Sequence, residues 1–310
     1  MRIAVIDLGT NTCNLLVAEI NSTEYRILHQ SKQLVRLGDD KIKTNEISPD
    51  ATQRVLQSFS KHKEIIENFQ VDKVRSIATS AVRSALNKVS FLEQIGNQTG
   101  YVVKVVSGEK EAELIFNGVL LAFQDFNKPA VILDIGGGSN ELIVMKNKQM
   151  TWKESQPTGM ARVINQFQIS DPILPSEIQR LQKYFSDQHK NAFEQCCSQK
   201  VNTLIGCSGA FDTIADIIDQ VNPGEKRRIT QPVSLEDFHK VYKKIIQSTR
   251  EERLAMKGMD MVRVDLIVPA VVLIKQLISD AKLTHIVQTD FALREGVLFE
   301  IMDKHALPSV

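Results

Sequence analysis

Two short segments constrain this chain more than anything else in it. IAVIDLGTNTCNLLV lies at the start, and AVILDIGGGSNELIVM (residues 130–145) repeats its order: apolar strand, aspartate, glycine turn, apolar strand. Short apolar runs bounded by such turns read as strands. Glycine weakens a strand end, so three in succession imply something that approaches the backbone closer than a Cβ allows. Asp134 before the glycines and Glu141 after them are equally poor filler for strand ends.

The elements after each opening follow one order. In the first half, strands over 3–7, 14–18 and 25–35 precede a helix over 50–69 with Val55, Phe59, Ile65, Ile66 and Phe69 on one side. A strand over 74–80, a helix from about Ala81 to Gly96, a strand over 102–107 and a helix over 108–123 complete it. The pattern restarts at AVILD, with a hairpin turn at Lys146–Gln149. FNKP (126–129) marks the boundary, giving domains 1–126 and 127–310. The sequence thus predicts two βββαβα units related by duplication, with their Asp–Gly turns opposed across a cleft. Residues 159–200 and 234–260 read as mainly helical around the strand VNTLIG. An apolar helix (265–279), the strand HIVQTD and a helix from Leu293 to Lys304 follow.

A net charge of +1 gives no global attraction to DNA, RNA or a membrane surface, so any anion must be handled locally. The longest apolar stretch, near residue 270, is interrupted by Asp265 and Pro269, and MRIAVIDLGTN lacks the features of a signal peptide. A cytoplasmic protein is expected. Cys13, Cys196, Cys197 and Cys207 form no CxxC pair and the six histidines no HExxH, which argues for reduced thiols and against zinc.

The turns carry the chemistry. Consecutive N–H groups of Gly136, Gly137, Gly138 and Ser139 can form a concave nest for an anion. Acids beside such a nest would repel a phosphate unless a divalent cation accompanies it. Magnesium takes one or two carboxylates together with phosphate oxygens and waters, and Asp7, Asp134 and Glu141 suit that role. A tight hairpin turn is the plain alternative. In TSAVRS (79–84), Arg83 falls in the predicted first turn of a helix, where it is either solvated or clamps phosphate. In SGEKEAELIFNGV (107–119), Glu111 shares a helical face with Ile115, Gly118 and Ala122. It reads either as a surface glutamate favoured by the helix dipole or as a general base whose proton affinity is raised by burial. GCSGA (206–210) places Ser208 and Gly209 at a strand-to-helix turn, an anion site or a plain turn. Lys226-Arg227-Arg228 is a basic cluster of the kind that is usually solvated, though a long polyanion could use it.

Taken in order, IDLGTNTCNLLV, ATSAVRSALN, VVSGEKEAELIFNGV, LDIGGGSNELIV, GCSGA, RVDLIVPAVVLI and DFALREGVLFEI resemble the exopolyphosphatase/guanosine pentaphosphate phosphohydrolase family over nearly the whole chain. The resemblance implies two ribonuclease-H-like α/β domains of the actin and sugar-kinase type, in the short two-domain form. It also implies a C-terminal helix, from about Leu293, that packs back on the first domain, and a homodimer. By motif position it makes Glu111 the catalytic glutamate and Arg83 its catalytic companion. Asp134 and Glu141 become the metal-associated acids, and Asp7, Gly9, Thr10 and Asn11 the first phosphate loop. Three positions depart from the family's usual residues. Glu113 replaces a common arginine, GCSGA replaces GTSGT, and Asn140 stands where threonine is frequent.

The expected activity is magnesium-assisted release of terminal phosphate from inorganic polyphosphate, with guanosine pentaphosphate as the alternative substrate. A small-molecule kinase or a non-catalytic phosphate sensor on the same fold are readings of a different class.

Overall fold

The structure, a computed structural model, describes residues 1–21, 24–38, 45–123 and 126–306. The chain divides into two compact units, Met1–Leu121 with Leu293–Val310, and Ala122–Ala292.

The first unit is built on a five-stranded sheet in the order β3-β2-β1-β4-β5. Its strands are β1 (Arg2–Leu8), β2 (Thr12–Ile20), β3 (Tyr25–Leu34), β4 (Lys73–Ala78) and β5 (Val103–Val105). β1 runs antiparallel to β2 and parallel to β4. Helices α1 (Pro49–Asn68), α2 (Ser80–Arg83), α3 (Lys88–Thr99) and α4 (Gly108–Ala122) connect them. α1 begins where Ser48 accepts the Ala51 N–H at 3.2 Å and Pro49 takes the first position. Its inward side, Val55, Leu56 and Phe59, buries against Leu15, Val17 and Phe91 in the unit's core.

The helix expected from Ala81 to Gly96 is instead two helices. Asn87 exchanges two 2.9 Å hydrogen bonds with the backbone of Ile47, and Leu86 N–H binds Asn45 O. These distant partners draw the backbone out of helical geometry between Ser84 and Asn87.

The second unit repeats the plan. β6 (Ala130–Ile135), β7 (Asn140–Lys146), β8 (Gln149–Gln156), β9 (Thr203–Cys207), β10 (Gln231–Val233) and β11 (His285–Thr289) form one sheet in the order β10-β11-β9-β6-β7-β8. Apart from the edge strand β10, β8-β7-β6-β9-β11 matches β3-β2-β1-β4-β5 in order and direction. This topology is that of the ribonuclease-H-like, actin-type fold. β6 is buried at every position, as befits a strand flanked on both sides and covered on both faces. Asn147 and Lys148, both at positive φ (50° and 58°), make the tight turn between β7 and β8.

Helices α5 (Met160–Phe167), α6 (Pro175–Gln188), α7 (Lys190–Ser198), α8 (Gly209–Asp219), α9 (Leu235–Gln247), α10 (Arg250–Leu254) and α11 (Ile267–Asp280) complete the second unit. α11 is the apolar run of the sequence. It is buried from Ile267 through Ile274 in the core with Phe185, Leu204 and Phe238. Among the described residues no helix is long and apolar enough to cross a membrane.

The final helix, α12 (Leu293–Ala306), belongs to the first unit and packs on β1. Gly296 lies on the backbone of Leu114 in α4, and any Cβ there would collide with the Leu114 carbonyl. Lys110 of α4 reaches both Glu300 of α12 and Glu113 of its own helix, the latter at 3.2 Å. Glu113, where the family commonly has arginine, therefore joins a helix-to-helix ion network. It stands two residues from Glu111, on another side of α4.

Candidate functional site

α4 begins at Gly108, with the Ser107 hydroxyl accepting the Lys110 N–H at 3.1 Å. Glu111, one turn in, is buried, with 7% of its surface exposed. Arg83 Nη1 donates to its Oε2 at 2.8 Å and to the Val106 carbonyl at 2.9 Å. Thr79, at the junction of β4 and α2, donates a further hydrogen bond to the Glu111 carboxylate. Burial raises the Glu111 pKa to about 7, against the lowering effect of Arg83 and Thr79, and the nearby Asp7 adds to the rise.

Arg83 closes the short α2 instead of opening a long helix, so its charge lies at the favourable carbonyl end. It is not simply solvated, because its Nη1 holds the Glu111 carboxylate. Asp7, at the end of β1, accepts from Asn14 Nδ2 at 3.1 Å. Burial raises its pKa. Asn14 and the charge of Arg294 oppose that rise, while Glu295 adds to it.

In the loop after β1, Gly9 N–H binds Thr12 O at 2.9 Å, and a Cβ at Gly9 would press on that carbonyl at 3.3 Å. The carbonyls of Thr10 and Asn11 accept the N–H groups of residues 35–37. Asn11 Nδ2 is a buried donor with no hydrogen-bond partner. A buried orphan donor on this loop suits an anionic oxygen.

The glycine turn of the second unit is held from behind. Met160 N–H binds Gly136 O and Ala161 N–H binds Gly137 O, each at 3.0 Å, and Arg162 Nε donates to Gly138 O at 2.8 Å. In a planar trans peptide the N–H of the next residue points opposite to the carbonyl. Fixing these three carbonyls toward α5 therefore turns the N–H groups of Gly137, Gly138 and Ser139 the other way, side by side. Donors held in this way from behind could receive an anion. Glycine is required at Gly136, where a Cβ would lie 2.6 Å from Ser139 O, and at Gly159, where it would run into Gly137 and Gly138.

Asp134 and Glu141 stand directly opposite each other on β6 and β7, and both are buried. The Ser155 hydroxyl donates to Glu141 Oε1 at 2.7 Å. Their register equivalents in the first unit are Asp7 and Asn14, a carboxylate facing an amide. Two carboxylates in the same position repel one another, and a divalent cation would relieve that repulsion. The pair fits the hard oxygen ligands magnesium uses. Among the described residues no three His, Cys, Asp or Glu side chains gather as a metal site.

Ser208 and Gly209 follow β9, whose Cys207 is paired with Asp134, so this turn lies at the same end of the sheet as the glycine turn. Ser208 has φ 68° and ψ 172°, a backbone region nearly restricted to glycine. Arg263 lies across Gly209, so a side chain there would have to displace its guanidinium. The basic cluster at 226–228 is split, with Lys226 and Arg227 exposed and Arg228 drawn inside. Arg228 is 4% exposed and pairs with Asp216 at 2.8 Å and Asp219 at 2.7 Å, and Lys226 also binds Asp219.

Several neighbours of the candidate site lie in quoted motifs that gave them no role. Thr79 of TSAVRS and Arg294 and Glu295 of DFALREGVLFEI reach Glu111 and Asp7 because the end of β4 and the start of α12 lie beside them. Arg162 was masked by its helical context. Gly159, a glycine directly before a helical run, was the one legible hint of a close backbone approach.

Comparison with known proteins agrees with this architecture. Residues 16–305 match the Ppx/GppA phosphatase family. The crystal structure of an exopolyphosphatase from Cytophaga hutchinsonii is 34% identical and superposes with a TM-score of 0.93 over 98% of each chain. Exopolyphosphatase 2 of Mycobacterium tuberculosis is 26% identical over 291 residues, 91% of each chain. A bifunctional 3-dehydroquinate synthase/phosphatase of Fusobacterium nucleatum is 28% identical over 287 residues; the match spans 89% of this chain but 43% of that longer protein. With its duplicated fold, its pinned glycine turn and a match over nearly its full length, the chain belongs to the Ppx/GppA phosphatase family.

Proposed function

We propose that the protein is an exopolyphosphatase, releasing terminal phosphate from inorganic polyphosphate by attack of water, with Glu111 as general base. The observation that carries this reading is Glu111 itself. It is a buried carboxyl with a pKa of about 7, held by Arg83 and Thr79. A base of that strength is half-ionised near neutral pH and can both accept a proton from water and release it again. The arginine fixes the direction of the carboxylate, so its second oxygen is free of rotational averaging when water arrives.

In the second unit the N–H groups of Gly137, Gly138 and Ser139 would receive phosphoryl oxygens, and in the first unit Asn11 Nδ2 is a donor suited to an anion. These donors are set in place before the substrate binds, which is how electrostatic stabilisation of phosphoryl transfer operates. Asp134 and Glu141 would hold magnesium, which when bound neutralises phosphate charge. The reading includes a homodimer, as the resemblance implies, and a cytoplasmic location.

The test is phosphate release from long-chain polyphosphate with magnesium, run beside guanosine pentaphosphate, for the wild type and Glu111→Gln. Loss of base catalysis should cost the variant about 10²-fold or more in kcat. Equal release by both proteins would remove Glu111 from its role. Release from guanosine pentaphosphate alone would move the substrate assignment, and release from neither would overturn the hydrolase reading.

A further inference from the structure

Beneath the glycine turn runs a chain of buried polar side chains that the proposed chemistry leaves unused. Asn140, the first residue of β7, donates from Nδ2 to the Thr158 carbonyl at 2.8 Å and to its hydroxyl at 3.0 Å. Thr158 Oγ1 lies 3.0 Å from His189 Nε2, and His189 Nδ1 lies 3.3 Å from Glu154 Oε1. Asn140, Thr158 and His189 are all 0% exposed.

Asn140 Nδ2 can only donate, so Thr158 Oγ1 accepts from it, and the hydroxyl also bonds His189 Nε2. A carboxylate oxygen accepts, so Nδ1–H is the donor to Glu154. Hydroxyl, imidazole and carboxylate in series are also the order of a hydrolytic triad. Thr158 is not a nucleophile, however, because full burial leaves no space for a substrate beside it.

What the chain does touch is the turn. Thr158 immediately precedes Gly159, whose Cα rests against Gly137 and Gly138. The next two residues supply the N–H groups that bind the Gly136 and Gly137 carbonyls. Asn140 is the first residue after the turn. The Asn140–Thr158 bonds therefore tie the exit of the turn to the segment that pins its back, and His189 and Glu154 anchor that tie to β8 and to the junction of α6 and α7. A threonine at position 140 is too short to span both acceptors of residue 158, which gives this departure from the family's usual residue a structural counterpart.

We propose that Asn140, Thr158 and His189 are positioning residues that hold the Gly136–Ser139 turn in its anion-receiving shape before phosphate binds. The inference rests on the reading that this turn receives a phosphoryl group. Thr158→Val removes the hydroxyl while conserving volume. It should raise KM for polyphosphate about tenfold, with kcat within about twofold, as expected for one lost buried hydrogen bond that serves binding. Thr158→Ser should restore the wild-type KM. Hydrogen exchange of the peptide covering 136–140, measured without phosphate, should quicken about tenfold in Thr158→Val while the α11 peptide stays protected. The Thr158→Val/His189→Phe double variant should be perturbed less than the two single changes combined, because it removes both ends of the Thr158–His189 bond.

Unchanged KM and unchanged exchange at 136–140 would overturn the proposal. Faster exchange spread evenly over the second unit would do so as well, since the chain would then be structural only. Should Thr158→Val fail to fold, His189→Gln is read by the same two measurements. If neither substrate releases phosphate, the hydrolase reading fails, while exchange at 136–140 still tests the positioning role.

Discussion

The protein maintains Glu111 at a cost in stability, and that cost can be measured. Burial lifts its pKa from 4.5 to about 7. Each tenfold change in proton affinity is about 1.4 kcal/mol, so the ionised form of the folded protein is penalised by about 3 kcal/mol. The sign follows from linkage. Below pH 4.5 the carboxyl is neutral in both the folded and the unfolded chain, and the penalty is absent. Between 4.5 and about 7 the unfolded chain ionises first, so stability falls as pH rises. Above about 7 the loss is complete.

Glu111→Gln keeps the shape and an oxygen for Arg83 and Thr79, but it never ionises. It should therefore be more stable than wild type by about 2–3 kcal/mol at pH 8 and by less than about 1 kcal/mol at pH 5. Taking the difference between the two proteins cancels other titrations. One of these is His62, whose pKa burial lowers and which therefore destabilises the fold on acidification. The assay is urea unfolding at pH 5, 6, 7 and 8 followed by far-UV circular dichroism, because the single tryptophan, Trp152, lies in the second unit. A stability gap that stays flat from pH 5 to 8, or a variant less stable at pH 8, would refute the argument.

Two further changes test the second unit. Arg228→Met leaves the buried carboxylate of Asp216 without its arginine, Asp219 retaining Lys226, and should destabilise the unit by about 3–5 kcal/mol in urea, with Trp152 fluorescence as the readout. A loss below about 1 kcal/mol would mean that the pair relaxes into solvent. Magnesium at a hundredfold excess over its Kd should stabilise the wild type by about 2.7 kcal/mol, and Glu141→Gln should respond less while being the more stable protein in EDTA. An identical magnesium response in both proteins would take Glu141 out of the ligand set.

What the sequence made legible was local and periodic. Glu111 could be placed on an inward face because α4 keeps a 3.6-residue repeat through Ile115 and Gly118. The two Asp–Gly turns were visible because glycine and aspartate at strand ends are chemically costly. The features that stayed hidden depend on partners far away in the chain. The break between α2 and α3 comes from Asn87 meeting Ile47, and nothing in ATSAVRSALN alone opposes a continuous helix. Arg228 looked like part of a solvated cluster because Asp216 and Asp219, its two acceptors, sit on another element. Arg294 becomes a neighbour of Asp7 only when α12 crosses back to the first unit.

The hairpins that open the two units share one register and differ in one partner: Asp7 faces Asn14, and Asp134 faces Glu141. The two units repeat one plan, and this pair marks where they cease to be interchangeable. An amide beside a carboxylate supplies its own donor, whereas a second carboxylate adds a negative charge that a bound cation would offset. On that reading the first repeat would handle a proton and the second an ion, each released from the other's constraint. A chain with asparagine at both positions, or glutamate at both, would restore the symmetry of the two hairpins and give up this division of labour.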